Sequence, residues 1–221
     1  VSIDAENPSA SIPAFGISVV TNSSLKLNGT EIHINSVNLN ETTANVAGIF
    51  QNVSSNVTLG GENTELITIN AQGGDVGNKT AKVWGISIND SSTLSLIANK
   101  IDIASNEIGV GTQNNSLITI GSAQSEAVNI HGNLNALNTL NANATILGKE
   151  ISLSSDISDA VSYVGHGLVQ IGGEDTNLVS ITTDMAGYAG LFVKRDSNAL
   201  QKDSTIEINS KNVAISATDG V

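Results

Sequence analysis

The string "VTLGGENTELITIN" at residues 57–70 returns as "ITIGSAQSEAVNI" at 118–130 and as "VQIGGEDTNLVSIT" at 169–182. Each has two apolar-x-apolar pairs around a corner of seven residues. Val57 and Leu59 precede the first corner and Ile67 and Ile69 follow it. Ile118/Ile120 with Val128/Ile130, and Val169/Ile171 with Val179/Ile181, repeat the spacing. Four more segments, at 24–34, 93–103, 143–153 and 205–215, carry the same pairs around a corner of four. Long and short corners alternate strictly along seven units. Apolar residues two apart, rich in β-branched side chains, read as strands. A corner length fixed in every second unit reads as one coil turned many times.

A third element precedes most units. Gly16-Ile17, Gly48-Ile49, Gly85-Ile86 and Gly109-Val110 stand nine and eight residues ahead of Leu25, Val57, Leu94 and Ile118. Val161 keeps the place without the glycine, Ala136 keeps it before Ala144, and Gly190-Leu191 comes early. The first-strand positions are then 25, 57, 94, 118, 144, 169 and 206. The basic period is about 24–26 residues, which belongs to solenoids. The longer gaps hold inserted loops, near 35–47, 70–84 and 194–203.

One rung of three short strands cannot bury its apolar face alone. Stacking rungs about 4.8 Å apart closes the interior and pairs the backbone groups. The expected fold is therefore all-β: a single-stranded, right-handed parallel β-helix of about seven rungs, with 1–221 as one solenoid segment of a longer protein. Seven rungs stand roughly 30 Å tall. A sandwich gives no fixed corner in alternate units, a propeller blade needs four strands, and leucine-rich repeats need an Asn ladder. Leu134, Leu137 and Leu140 have helical spacing, but Asn-rich 133–144 without a cap reads as coil and strand.

The formal charge of −12, with nine scattered Lys and Arg, argues against binding phosphate backbones or acidic membrane surfaces. There is no Cys, so cysteine usage does not report the redox compartment. No run approaches the ~18 apolar residues of a membrane span. The chain opens inside what reads as mature sequence.

Nothing in the outward columns reads as catalytic. The middle residues of the first pair are Lys26, Thr58, Ser95, Thr119, Thr145, Gln170 and Glu207; those of the second are His33, Thr68, Asp102, Asn129, Ser152, Ser180 and Ala214. Neither column has the paired carboxylates of glycoside chemistry. His33, His131 and His166 read as surface residues, the first two about four rungs apart and unable to share a metal. The acids of "DISDA" and "GGEDTN" match no calcium loop, so no metal or cofactor is expected. The adjacent glycines at 60–61 and 172–173 read as corners that need permissive backbone rather than as anion nests. Asn-x-Ser/Thr triplets, as at Asn22 and Asn56, are what an Asn- and Ser-rich composition supplies. Trp84, two residues before Ile86, is expected inside. The candidate contact residues are the polar tips of corners and loops: Glu62, Asn63, Asp75, Asn78, Lys79, Glu174, Asp175, Lys194 and Arg195.

The segments "AFGISVVTNSSLKLNGTEIHI", "VAGIFQNVSSNVTLGGENTELITI" and "VWGISINDSSTLSLIANKIDI" resemble the passenger repeats of bacterial autotransporter adhesins of the parallel β-helix type. The resemblance implies a rod on the bacterial surface, mostly monomeric in solution, exported through an outer-membrane β-barrel outside this segment. It implies attachment to a host surface protein or glycan, or to identical molecules on neighbouring cells, and a part in biofilm formation. It supplies no binding motif. Some relatives carry esterase domains, but no Gly-x-Ser-x-Gly string occurs here. A glycan-processing β-helix enzyme, or a passive stalk spacing another domain from the cell, are the alternative readings.

Overall fold

The computed structural model describes residues 1–7, 12–38, 45–73, 82–194 and 204–218. Its strands stack into three parallel sheets. Sheet 1 has eight: Ser2–Glu6, Glu31–Asn38, Leu66–Gly73, Lys100–Ser105, Ala127–Gly132, Glu150–Ser155, Leu178–Thr183 and Asn212–Ala217. Sheet 2 has seven: Ala14–Val20, Val46–Asn52, Val83–Ile88, Ile108–Gln113, Asn135–Leu140, Val161–Val164 and Leu191–Lys194. Sheet 3 also has seven: Ser24–Leu27, Asn56–Gly60, Thr93–Ile97, Leu117–Ile120, Asn143–Ile146, Gly167–Gly172 and Ser204–Asn209. The chain visits sheets 2, 3 and 1 in turn and then climbs one rung. This is a right-handed parallel β-helix of seven full rungs, with one extra strand at the start.

The register follows the repeat. Leu25, Val57, Leu94, Ile118, Ala144, Val169 and Ile206 stand one above another in sheet 3. Ile32, Ile67, Ile101, Val128, Ile151, Val179 and Val213 do so in sheet 1. Apart from Val213, which is exposed on the last rung, these columns and the Ile34-to-Ile181 column beside them form one continuous core. Rows of like aliphatic side chains, packed and dry between paired backbones, hold the rod together.

The Gly-Ile step does something that period two does not reveal. Gly16, Gly48, Gly85 and Gly109 form a column that Ala136, Ala160 and Gly190 continue. A Cβ at the four glycines would lie 2.5, 2.3, 2.7 and 2.7 Å from Cγ2 of Ile34, Ile69, Ile103 and Ile130 respectively. The column must be small so that sheets 1 and 2 can close on each other. It also reverses the alternation: Val83 and Ile86, three apart, are both buried, as are Val46 and Ile49. Ala14, Val46, Ala71 and Val83 form a second apolar cluster ahead of the step.

From sheet 2 to sheet 3 the chain turns through left-handed residues: Thr21-Asn22, Val53-Ser54, Asp90-Ser91 and Asn114-Asn115, all with φ between 53° and 61°. These arcs bond rung to rung, Asn22 N–H to Val53 C=O, Ser54 to Asp90, Ser91 to Asn114 and Asn115 to Asn141. Just behind them, buried Ser55, Ser92 and Ser116 form a hydroxyl ladder: Ser92 Oγ accepts from Ser55 N–H at 3.2 Å and Ser116 Oγ from Ser92 N–H at 3.3 Å.

Two expectations need correction. Leu137, not Ala136, occupies the Ile column, because it pairs with Val110. Residues 133–144 are strand and turn, as their reading as coil and strand expects, with strands Asn135–Leu140 and Asn143–Ile146. Asn35–Asn38 and Asn70–Gly73 are paired strand rather than loop. The first two insertions are therefore shorter than the sequence suggests, and their central residues lie outside the described residues.

Candidate contact surface

The corner from sheet 3 to sheet 1 is where the repeat shows on the surface. Gly60, Gly121 and Gly172 begin the long corners with φ of 77°, 79° and 81°. A Cβ there would meet the carbonyl oxygen of Ile97, Leu147 or Asn209 in the next rung at 2.1, 2.0 and 2.2 Å. Five residues into each corner a hydroxyl ties down the other side. Thr64 Oγ1 accepts from Gly61 N–H at 3.1 Å and donates to Gly29 C=O of the rung below at 2.8 Å. Ser125 and Thr176 repeat both bonds, to Ser122 N–H and Ala98 C=O, and to Gly173 N–H and Gly148 C=O. Each long corner is thus clamped between two short ones. Its tip stands out: Glu62-Asn63, Ala123-Gln124 and Glu174-Asp175 are all exposed. Successive tips are two rungs, about 10 Å, apart.

Beside the tips, the short corners leave notches. One of about 550 Å³ lies over Ile97 and Ala98, rimmed by Glu62, Asn99, Ser122 and Gln124. Another of about 550 Å³ lies beside Lys26, Asn28 and Thr30. A third of about 540 Å³ lies beside Gln170, Glu174 and Lys211. The edge is mainly acidic, with Lys149 neutralising Glu126 of the rung below at 2.5 Å.

Of the expected contact residues, the structure brings Glu62, Asn63, Glu174 and Asp175 onto this one ridge. Lys194 is exposed at the end of a sheet 2 strand, away from it. Asp75, Asn78, Lys79 and Arg195 lie outside the described residues. Trp84 is not inside. The phase reversal at Gly85 turns it outward, where a Cβ at Gly111 would lie 3.1 Å from its Cδ1. His33 and His131 are three rungs apart rather than four, and they link neighbours on the outer face of sheet 1. His33 Nδ1 is 2.7 Å from Thr68 Oγ1 and its Nε2 3.3 Å from Glu31. His131 Nδ1 is 3.0 Å from Ser154 Oγ and its Nε2 3.6 Å from Asp156. Each row has the order of a proton relay, but it stands on a flat wall and works as a tie between rungs. His166 departs from the surface reading, because both its ring nitrogens are buried.

No family model, curated protein or solved structure matches this chain.

Burial pushes the Tyr163 hydroxyl up to about 12 from its usual 10.0. Tyr163 sits inside sheet 2 over Thr139 and Thr112, and these three hydroxyls have no hydrogen-bond partner among the described residues. No group of three or more His, Cys, Asp or Glu converges among the described residues. The corner hydroxyls Thr64, Ser125 and Thr176 escaped the sequence reading. Their constant offset from Gly60, Gly121 and Gly172 was the available signal.

Proposed function

We propose that this chain is a non-catalytic segment of a bacterial surface adhesin. The full protein would be exported through an outer-membrane β-barrel and attach cells to a host surface protein or glycan, or to identical molecules on neighbouring cells. One observation carries the reading: the protruding polar groups are laid out as a periodic row, one tip every second rung, on a rigid scaffold. A periodic row suits many weak contacts acting together, whose avidity far exceeds each single affinity. The resemblance of the repeats to adhesin passengers supports the same conclusion. An enzyme would instead concentrate its polar chemistry in one place.

The test is to coat microspheres with the chain and measure their attachment to epithelial cells and to one another. Attachment that rises steeply with coating density is expected, and the triple variant Glu62→Gln, Glu174→Gln, Asp175→Asn should weaken it. Coated spheres that neither attach nor clump beyond bare ones would sink the proposal.

A further inference from the structure

The chain has only six aromatic residues: three Phe, two Tyr and one Trp. Four of them, Phe15, Phe50, Trp84 and Phe192, face outward from sheet 2. The direction follows from their neighbours. Ile49 and Gln51, on either side of Phe50, are fully buried, and Phe192 shares the Phe50 column through Ser162. Phe15 is stacked on Phe50, ring centroids 4.8 Å apart and planes 6° from parallel. Gly111, on which Trp84 lies, is flanked by buried Val110 and Thr112. Phe15 and Trp84 thus lean on the same diagonal toward the next rung, Phe15 onto Phe50 and Trp84 onto Gly111.

Placing large apolar rings on the wet side of a sheet forgoes their burial. Phe15 and Phe50 are held by their stacking and Trp84 by its contact over Gly111, so little side-chain freedom remains to be lost on contact. Beside them run three amides in adjacent rungs, Asn52, Asn89 and Gln113, all half-buried. Amides both donate and accept, as a ligand rich in hydroxyls requires. The outward strand residues of this face carry no charge over the first four rungs.

We infer that the outer face of sheet 2 binds a linear neutral glycan lying along the rod axis. The Phe15–Phe50 pair and Trp84 are its two stacking platforms, and the amide column is its hydrogen-bonding rim. The C–H faces of a pyranose ring are apolar and slightly positive, complementary to an aromatic face. Phe15 and Trp84 share one column with Ala47 between them. They are thus two rungs, about 10 Å, apart, comparable to the reach of two pyranose units in an extended chain. A chain of net charge −12 disfavours acidic glycans. The inference rests on the adhesin reading and adds to it a second contact face, sheet 2, apart from the ridge of corner tips between sheets 3 and 1.

Trp84 is the chain's only tryptophan, so its emission reports directly on the site. The purified chain is titrated with linear hexasaccharides of glucose, of mannose, of N-acetylglucosamine and of a uronic acid. A saturable change in emission is expected with at least one neutral hexamer and none with the uronic one. Calorimetry with that hexamer should show about a tenfold loss of affinity for Trp84→Ala and for Phe50→Ala. Trp84→Phe should bind nearly as well as the parent, which separates loss of the platform from misfolding. Unchanged emission with every neutral hexamer, or full binding by Trp84→Ala, would overturn the inference. If coated microspheres still attach in that case, the adhesin reading stands with a protein or homotypic partner. Titration without attachment would leave a glycan-binding rod and sink adhesion.

Discussion

The arcs between sheets 2 and 3 hold two β-branched residues in a backbone that does not suit them, Thr21 and Val53. Val53 has φ 55°, in the left-handed region. That conformation costs an L-residue about 1–2 kcal/mol, and Asn tolerates it best after Gly. The equivalent places in the other rungs hold Thr21, Asp90, Asn114 and Asn141. The Val53 side chain is 42% exposed, so little packing is at stake. Its N–H is satisfied by Asn52 Oδ1 at 3.0 Å and its C=O by Asn22 N–H at 2.9 Å, and neither bond depends on the valine side chain. Val53→Asn should therefore stabilise the rod by about 1 kcal/mol. For a chain of this size that raises Tm by about 2–4 °C. Thermal unfolding followed by far-UV circular dichroism is the assay. Val20→Asn is the control: Val20 is 41% exposed but lies at the end of an extended strand, where Asn should be neutral or harmful. An equal rise in both variants, or none in Val53→Asn, would refute the reasoning.

Four further outcomes are expected. Gly121→Ala drives a Cβ to 2.0 Å from Leu147 C=O at φ 79°, and should lower the urea midpoint by the equivalent of about 3 kcal/mol. Thr64→Val leaves Gly61 N–H and Gly29 C=O without their hydroxyl partner and should cost about 2 kcal/mol in the same assay, more than Thr58→Val on the outer face. Ile103→Ala should cost about 2–5 kcal/mol, because a fully stacked rod cannot collapse around one missing side chain. Tyr163 ionises at about 12 when folded and near 10.0 when unfolded. Its contribution is thus complete below pH 10 and declines as pH rises toward 12, where the unfolded chain binds fewer protons. Tyr163→Phe should flatten that decline in stability measured across pH 9 to 12.

What could be read in the sequence was whatever repeats with a period of two. The Leu25 and Ile32 columns, the corner lengths and the three-strand rung all follow from inward and outward alternation, which the backbone enforces. Sequence reasoning failed where the backbone leaves that rule. Gly85 allows a close approach that shifts phase, and Trp84 was therefore placed on the wrong side of the wall. Leu137 was missed because its rung is one residue short, which counting from a fixed offset does not detect. The ridge was legible as a corner of constant length, but its clamp was not. Thr64, Ser125 and Thr176 look like ordinary corner polar residues until a neighbouring rung is set beneath them.

The small-residue column has a mechanical consequence. Because Gly48 and its neighbours let sheets 1 and 2 meet without a gap, each rung is fastened to the next by all three walls at once, and to nothing further away. Pulled from one end, such a rod should pay out a rung at a time. Each release frees about 24 to 37 residues, or roughly 80–130 Å of chain at full extension. A tether of this kind absorbs a sudden load as a series of small yields while the remaining rungs keep their hold.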